Sequence, residues 1–228
     1  MIIKVFVYGF YLEPPDIKDY KLEPNLQVQV CLTPARPMVE QWAKLTANLG
    51  VYQHYAVAAW GRVGALRGMV HEMRDDIPWF RAAGVKSFFT QYMQQPWTQC
   101  PLNHYIAAKL VWNADLDVDW LIQDYCDKFF EHASAPMHSY LLAIEDVTQR
   151  YTKVGVPAYD QATRDKMRAS LDAAKEAANS AVVGKRIAAL RAAFDVCEKS
   201  MLDAGPDHKQ RGVEYLPPTA PKPKATCR

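Results

Sequence analysis

Residues Gly84–Tyr125 read GVKSFFTQYMQQPWTQCPLNHYIAAKLVWNADLDVDWLIQDY, and the fold turns on them. Gly84 has the form of a helix terminator. Val85–Met93 is then an unbroken run rich in β-branched and aromatic residues, which predicts a buried strand. Gln94–Cys100 is a polar, aromatic loop carrying Pro96 and Trp97. Pro101 opens a helix where its missing N–H costs nothing. Asp117 opens another, with Asp119 in the first turn, where carboxylates suit the helix dipole.

Strands and helices alternate upstream of this stretch. Ile2–Phe10 predicts a first strand, apolar on both faces. Leu26–Thr33 predicts a second, Val51–Trp60 a third and Val85–Met93 a fourth. Pro37–Leu49, closed by Gly50, and Ala65–Ala83, bent at Pro78, predict the helices between them. Such alternation points to a parallel sheet.

Downstream the chain reads as helical throughout. Leu121, Ile122, Tyr125 and Phe129 share one face of Asp117–Glu131. Met137, Tyr140, Leu141, Ile144 and Tyr151 form one stripe after Pro136, and Gly155 and Pro157 stop that helix. Met167, Leu171, Ala174 and Ala178 recur at four- and three-residue steps. So do Val183, Ile187, Leu190, Phe194, Cys197 and Met201. With the short Asn179–Val182 connection, these predict two antiparallel helices. The tail 205–228 is proline-rich and lacks a periodic face, which reads as disorder. Residues 1–113 thus form a β/α part and 114–204 a helical part.

With 27 basic and 25 acidic residues, the net charge of +2 argues for neither nucleic acid nor an anionic membrane as partner. Cys31, Cys100, Cys126, Cys197 and Cys227 lie far apart, so no zinc motif and no disulfide framework is signalled. Asp115, Asp117 and Asp119 resemble the start of a calcium loop but lack its downstream glycine and glutamate; capping explains them better. No metal or cofactor is expected. Met1–Leu12 is apolar, but Glu13-Pro14-Pro15 follows in place of a cleavage site, which argues against a signal peptide.

In parallel sheets ligands gather at the C-terminal strand ends. Those ends carry Tyr11 and Glu13, then Thr33 and Arg36, then His54, Tyr55 and Trp60, then Gln91, Tyr92 and Trp97. Aromatic faces stack on sugar rings, while amides, hydroxyls and guanidinium groups bond their hydroxyls. Tyr11, Tyr55, Trp60, Gln91, Tyr92 and Trp97 are therefore the candidate substrate-binding residues, and Glu13 and His54 the candidate catalytic ones. Phe6, Tyr8, Phe88 and Phe89 are expected in the core. Asp75 and Asp76, mid-helix, are expected to be solvated.

The runs GVKSFFTQY and LNHYIAAKLVWNADLDVDWLIQDYCDKFFEHASAPMHSYLLAIED resemble the domain of unknown function 4838 family, which overlaps glycoside hydrolase family 163. The likeness rests on Tyr105, Ala108, Lys109, Leu110, Trp112 and Asn113, followed by Asp117, Asp119 and Leu121. It spans about Lys4–Tyr151 and is most specific over Gly84–Asp146. It implies the C-terminal half of a (β/α)8 TIM-like barrel followed by a helical bundle. It also implies a glycoside hydrolase-like protein, of β-N-acetylglucosaminidase type, acting on glycans such as N-glycans, in a family usually exported. Glycoside cleavage uses two carboxylates, yet only Glu13 stands at a strand end. Where family members often carry an acidic residue before the tyrosine of the third strand, this chain has Gln53 and His54. Two readings follow: an incomplete carbohydrate-active barrel, or a non-catalytic glycan-binding or assembly protein built on a half-barrel. Four strands are too few to close a barrel of eight, so Ile2–Phe10 is expected to be a bare apolar edge: the missing half is supplied by another copy, or it belongs to a longer protein, or the fold is remodelled.

Overall fold

The computed structural model describes residues 1–16, 20–31, 35–56, 66–92, 97–150 and 159–204. Four strands form one sheet: β1 (Ile3–Val7), β2 (Leu26–Cys31), β3 (Leu49–Ala56) and β4 (Ser87–Tyr92). Their order is β1-β2-β3-β4 and every pairing is parallel. Helices α1 (Ala35–Ala43) and α2 (Val70–Ala82) make the crossovers. Then come α3 (Asn103–Trp112), α4 (Val118–Phe130), α5 (Ser134–Arg150), α6 (Gln161–Ala177) and α7 (Ala181–Ala204). The expected parallel strands followed by helices are what the described residues form.

The boundaries shift for physical reasons. Gly50 does not close α1; it lies inside β3, and α1 ends earlier at Ala43. A Cβ on Gly50 would lie 1.9 Å from Gln29 Oε1 and 2.2 Å from Ser87 Oγ, so glycine is needed where β2 and β4 side chains meet across β3. Gly84 does terminate α2, with φ at 79°, and the Val85 N–H returns to the Phe80 carbonyl at 3.0 Å. The helix runs through Pro78 to Ala82. Asp117 caps α4 by accepting the Trp120 N–H at 2.9 Å, as capping chemistry requires. The expected helix stop at Gly155 and Pro157, and the tail beyond Ala204, lie outside the described residues.

Side-chain parity along the strands separates two faces. One carries Val28, Val30, Leu49 and Val51, which pack with Val39 and Trp42 of α1 and Phe80 of α2. A second, larger core starts at Tyr55 and Leu66 and runs through α2–α7 to Cys197. Phe88 packs against both cores. The second core crosses residues 113 and 114 without a break, joining α2 and α3 to the helices that follow. In α6 and α7, Met167, Leu171 and Ala174 bury against Val183, Ile187, Leu190, Phe194 and Cys197. Arg168 with Glu198, and Arg191 with Asp172, pair across them in antiparallel order.

The loop before α2 is where the helical half grips the sheet layer. Met69 precedes the helix with no side-chain cap of its own. The donors there are met from elsewhere: Gly68 N–H by Thr148 Oγ1, Met69 N–H by Asn103 Oδ1, and Val70 and His71 N–H by the Glu145 carboxylate. Two of these acceptors belong to α5 and one to α3.

Candidate functional site

The other face of the sheet carries Phe6 from β1, Gln27, Gln29 and Cys31 from β2, Tyr52 and His54 from β3, and Ser87, Phe89 and Gln91 from β4. The register sets them side by side: Phe6 opposite Gln29, Cys31 opposite Tyr52, Tyr52 opposite Phe89. Toward the N-terminal strand ends this face is polar and self-satisfied. Ser87 Oγ donates to Gln29 Oε1 at 2.9 Å, Gln29 Nε2 donates to the Val51 carbonyl at 3.0 Å, and Gln27 Nε2 donates to Asn48 Oδ1 at 3.2 Å.

Toward the C-terminal ends it becomes aromatic and open. Tyr52 stacks on Phe89 with centroids 4.8 Å apart, and meets the rings of Phe6 and His54 edge-on at 5.8 and 5.2 Å. Phe6 is 53% exposed, Tyr8 59% and Phe89 50%, so these three are surface residues and not the core residues expected. Phe88, on the opposite face, does pack against the core.

Gln91 ties this cluster together. Its Oε1 accepts the Tyr52 hydroxyl at 2.8 Å, and its side chain also hydrogen-bonds His54. Burial pushes the His54 pKa below its usual value; the bond to Gln91 works against this and the nearby Arg67 charge adds to it. His54 therefore stands as a neutral imidazole near pH 7, able both to donate and to accept. The β3–β4 register slips between Gln53 and Ala56, which places this pair at a bulge, a usual means of re-aiming side chains near sites.

Other candidates are distributed differently. Tyr55 is 1% exposed, stacked near Phe88, with its hydroxyl donating to Asp76 Oδ2 at 2.9 Å. It is a core residue whose ring no ligand reaches, because its parity points it toward α2. Tyr11 is 79% exposed and Glu13 is exposed, both on the segment after β1. That segment is pinned by Trp42 Nε1, which donates to the Leu12 carbonyl at 2.8 Å. Trp97 is 38% exposed and rests edge-on against Phe129 at 5.6 Å. Trp60 and Thr33 lie outside the described residues, as does the side chain of Tyr92.

Sequence reading passed over two carboxylates. Asp76 is not simply solvated: Arg36 clasps its Oδ1 through Nε at 3.1 Å and a second guanidinium nitrogen at 3.0 Å, while Tyr55 takes Oδ2. Glu72 lies one turn earlier on the same side of α2, toward the C-terminal strand ends. Burial raises its pKa, Arg67 opposes the rise, and Asp76 and Glu145 reinforce it. Its side chain still reaches solvent, which screens these effects. The signal available was the i, i+4 spacing of Glu72 and Asp76 at the start of a β→α crossover helix. For Tyr52 and Phe89 it was shared strand parity with His54 and Gln91.

Among the described residues no cluster of three His, Cys, Asp or Glu side chains could hold a metal. Cys31, Cys100, Cys126 and Cys197 are buried free thiols, with burial raising Cys31 to about 11 and Cys100 to about 12. A shallow cavity of about 290 Å³ lies between Arg74, Leu110 and Asp117, away from the aromatic face. No described helix is long and apolar enough to cross a membrane.

A family model described as Domain of unknown function (DUF4838) matches residues 1–142. The chain belongs to that family. No curated protein and no solved structure gives a significant match. The matched segment runs from the sheet into α5 and stops three residues before Glu145.

Proposed function

We propose that the chain is a carbohydrate-binding half of a (β/α) barrel, glycoside hydrolase-like in descent, that takes a glycan at the C-terminal ends of its strands. The observation that carries this reading is Gln91, bonded to both Tyr52 and His54 beside the open rings of Phe6 and Phe89. Flat aromatic surface next to a fixed amide and a neutral imidazole suits a ligand that presents C–H faces and hydroxyls together. Tyr11, Glu13 and Trp97, all exposed, extend the reading along the same end of the sheet.

Hydrolysis by this chain alone is expected to be absent or very weak. Glu13 and Glu72 are carboxylates on different connections, and the reaction needs two flanking one bond. Calorimetry with N-glycan and chitin-type oligosaccharides tests the binding. Gln91→Ala should weaken it by about 3- to 10-fold, the worth of one hydrogen bond. No binding by the parent chain, or unchanged binding in Gln91→Ala, would end the reading. A non-catalytic assembly role is the second reading, favoured by the uncovered edge of β1.

A further inference from the structure

Three surfaces of the sheet lack a described partner, and they belong together. β1 is an edge strand: Ile3 is 43% exposed and Val5 41%, and only Val7 of this strand is buried. Ile3 N–H goes to the Asn25 carbonyl, so the alternate residues Lys4 and Phe6 turn their backbone groups outward. β4 is the other edge: Lys86 N–H goes to the Leu49 carbonyl, and the alternate residues Ser87, Phe89 and Gln91 face away from β3. Between the two edges lies the aromatic face, with Phe6 and Phe89 half exposed.

We infer that a second copy of this chain covers all three, its β4 pairing with β1 and its β1 with β4 about a two-fold axis parallel to the strands. Each edge then receives a parallel strand of matching hydrogen-bond spacing, and the ring closes at eight strands with no edge left. A barrel of that size has an interior that side chains alone can fill, which is what two facing sets of Phe6, Tyr52 and Phe89 supply. The alternative two-fold pairing, β1 against β1, is antiparallel; it leaves both β4 edges and both aromatic faces open. Gln27, Gln29 and Ser87 already have partners within the chain, and Lys4, which shares their face, stands at the N-terminal end of the strands where the barrel would open. It also brings two copies of the His54–Gln91 pair to one mouth. The inference rests on edges and exposure, and does not need the glycan reading.

Light scattering and sedimentation of the full chain at tens of micromolar test it. The expected mass is twice the 25.9 kDa of the chain. Phe6→Lys with Phe89→Lys should give a monomer whose circular dichroism matches the parent, since both side chains are already half exposed and both face the enclosed side. A parent chain that is monomeric, or a dimer untouched by these substitutions, would overturn the inference. Disulfide trapping in a Cys227→Ser background distinguishes the pairings. A mixture of Phe6→Cys and Phe89→Cys chains should cross-link, whereas Phe6→Cys chains that link to themselves would show β1 against β1 and refute it.

Discussion

Glu145 offers the sharpest test of how the two halves are joined. Its side chain is 2% exposed, on a helix far from α2 in sequence. Oε2 accepts the Val70 N–H at 3.1 Å; Oε1 accepts the His71 N–H at 3.0 Å and lies 2.8 Å from His71 Nδ1. Gly68 makes room for it, since a Cβ there would sit 2.2 Å from Oε2 and 2.9 Å from the Glu145 Cα. Glu145→Ala removes the carboxylate and leaves two backbone donors facing a dry gap. Each orphaned donor costs about 1–3 kcal/mol, so the two together, with the His71 contact gone as well, cost about 3–5 kcal/mol. A loss of about 3–5 kcal/mol is a large share of the roughly 5–15 kcal/mol that holds a domain together. Glu145→Gln keeps one acceptor oxygen and should cost about 1–3 kcal/mol. Urea unfolding of parent and variants reads this as a shift in midpoint at constant slope. Melting should fall by about 2–4 °C per kcal/mol for a chain of this length. A loss below about 1 kcal/mol in Glu145→Ala would refute the reasoning, because it would mean that water replaces the carboxylate at no cost.

Gly50→Ala should cost about 1–3 kcal/mol in thermal melts, because the added methyl must break the Gln29–Ser87 contact across β3; a neutral result would show that Gln29 swings clear. Trp97→Ala should cost about 0.5–1.5 kcal/mol through the lost edge contact with Phe129, and should weaken glycan binding in calorimetry if the ring also serves the ligand. His54 should titrate below about 6.5 in nuclear magnetic resonance. Its folded pKa is depressed, so the folded state binds fewer protons, and His54 costs stability as pH falls from about 6.5 through that lower pKa. His54→Gln should therefore lose less stability than the parent between pH 7.5 and 5.5, and an equal loss would count against a desolvated imidazole.

The parts of this fold that were legible in the sequence are those where local chemistry and tertiary packing agree. Gly84 needs the left-handed conformation and ends α2 in it; Asp117 caps α4 with its own oxygen. The four- and three-residue steps from Met167 to Ala174 in α6 and from Val183 to Cys197 in α7 are the ones that bury. Gly50 shows the opposite case. Read locally, a glycine after a helical run is a terminator. In the fold its role is set by Gln29 and Ser87, which come from strands on either side and are far away in sequence.

The candidate site is half legible in the sequence, for a reason of parity. His54 and Gln91 stand out as candidates because polar residues at strand ends are conspicuous. Phe6 and Phe89 were assigned to the core because aromatic residues on strands usually are, and an apolar residue does not announce which face of a sheet is covered. Only the partner layer decides that, and among the described residues the helices cover one face alone. Tyr55 fell on the wrong side of the same rule: one residue beyond His54, it points to α2 and is sealed there by Asp76. The exposed face and the two edges are thus one feature seen three ways. A four-stranded parallel sheet covered on one side is an incomplete layer structure. Whatever completes it decides whether the Gln91 cluster stands at an open surface or at the mouth of a closed barrel. The cross-linking of Phe6→Cys with Phe89→Cys chains therefore bears on the ligand as much as on the assembly.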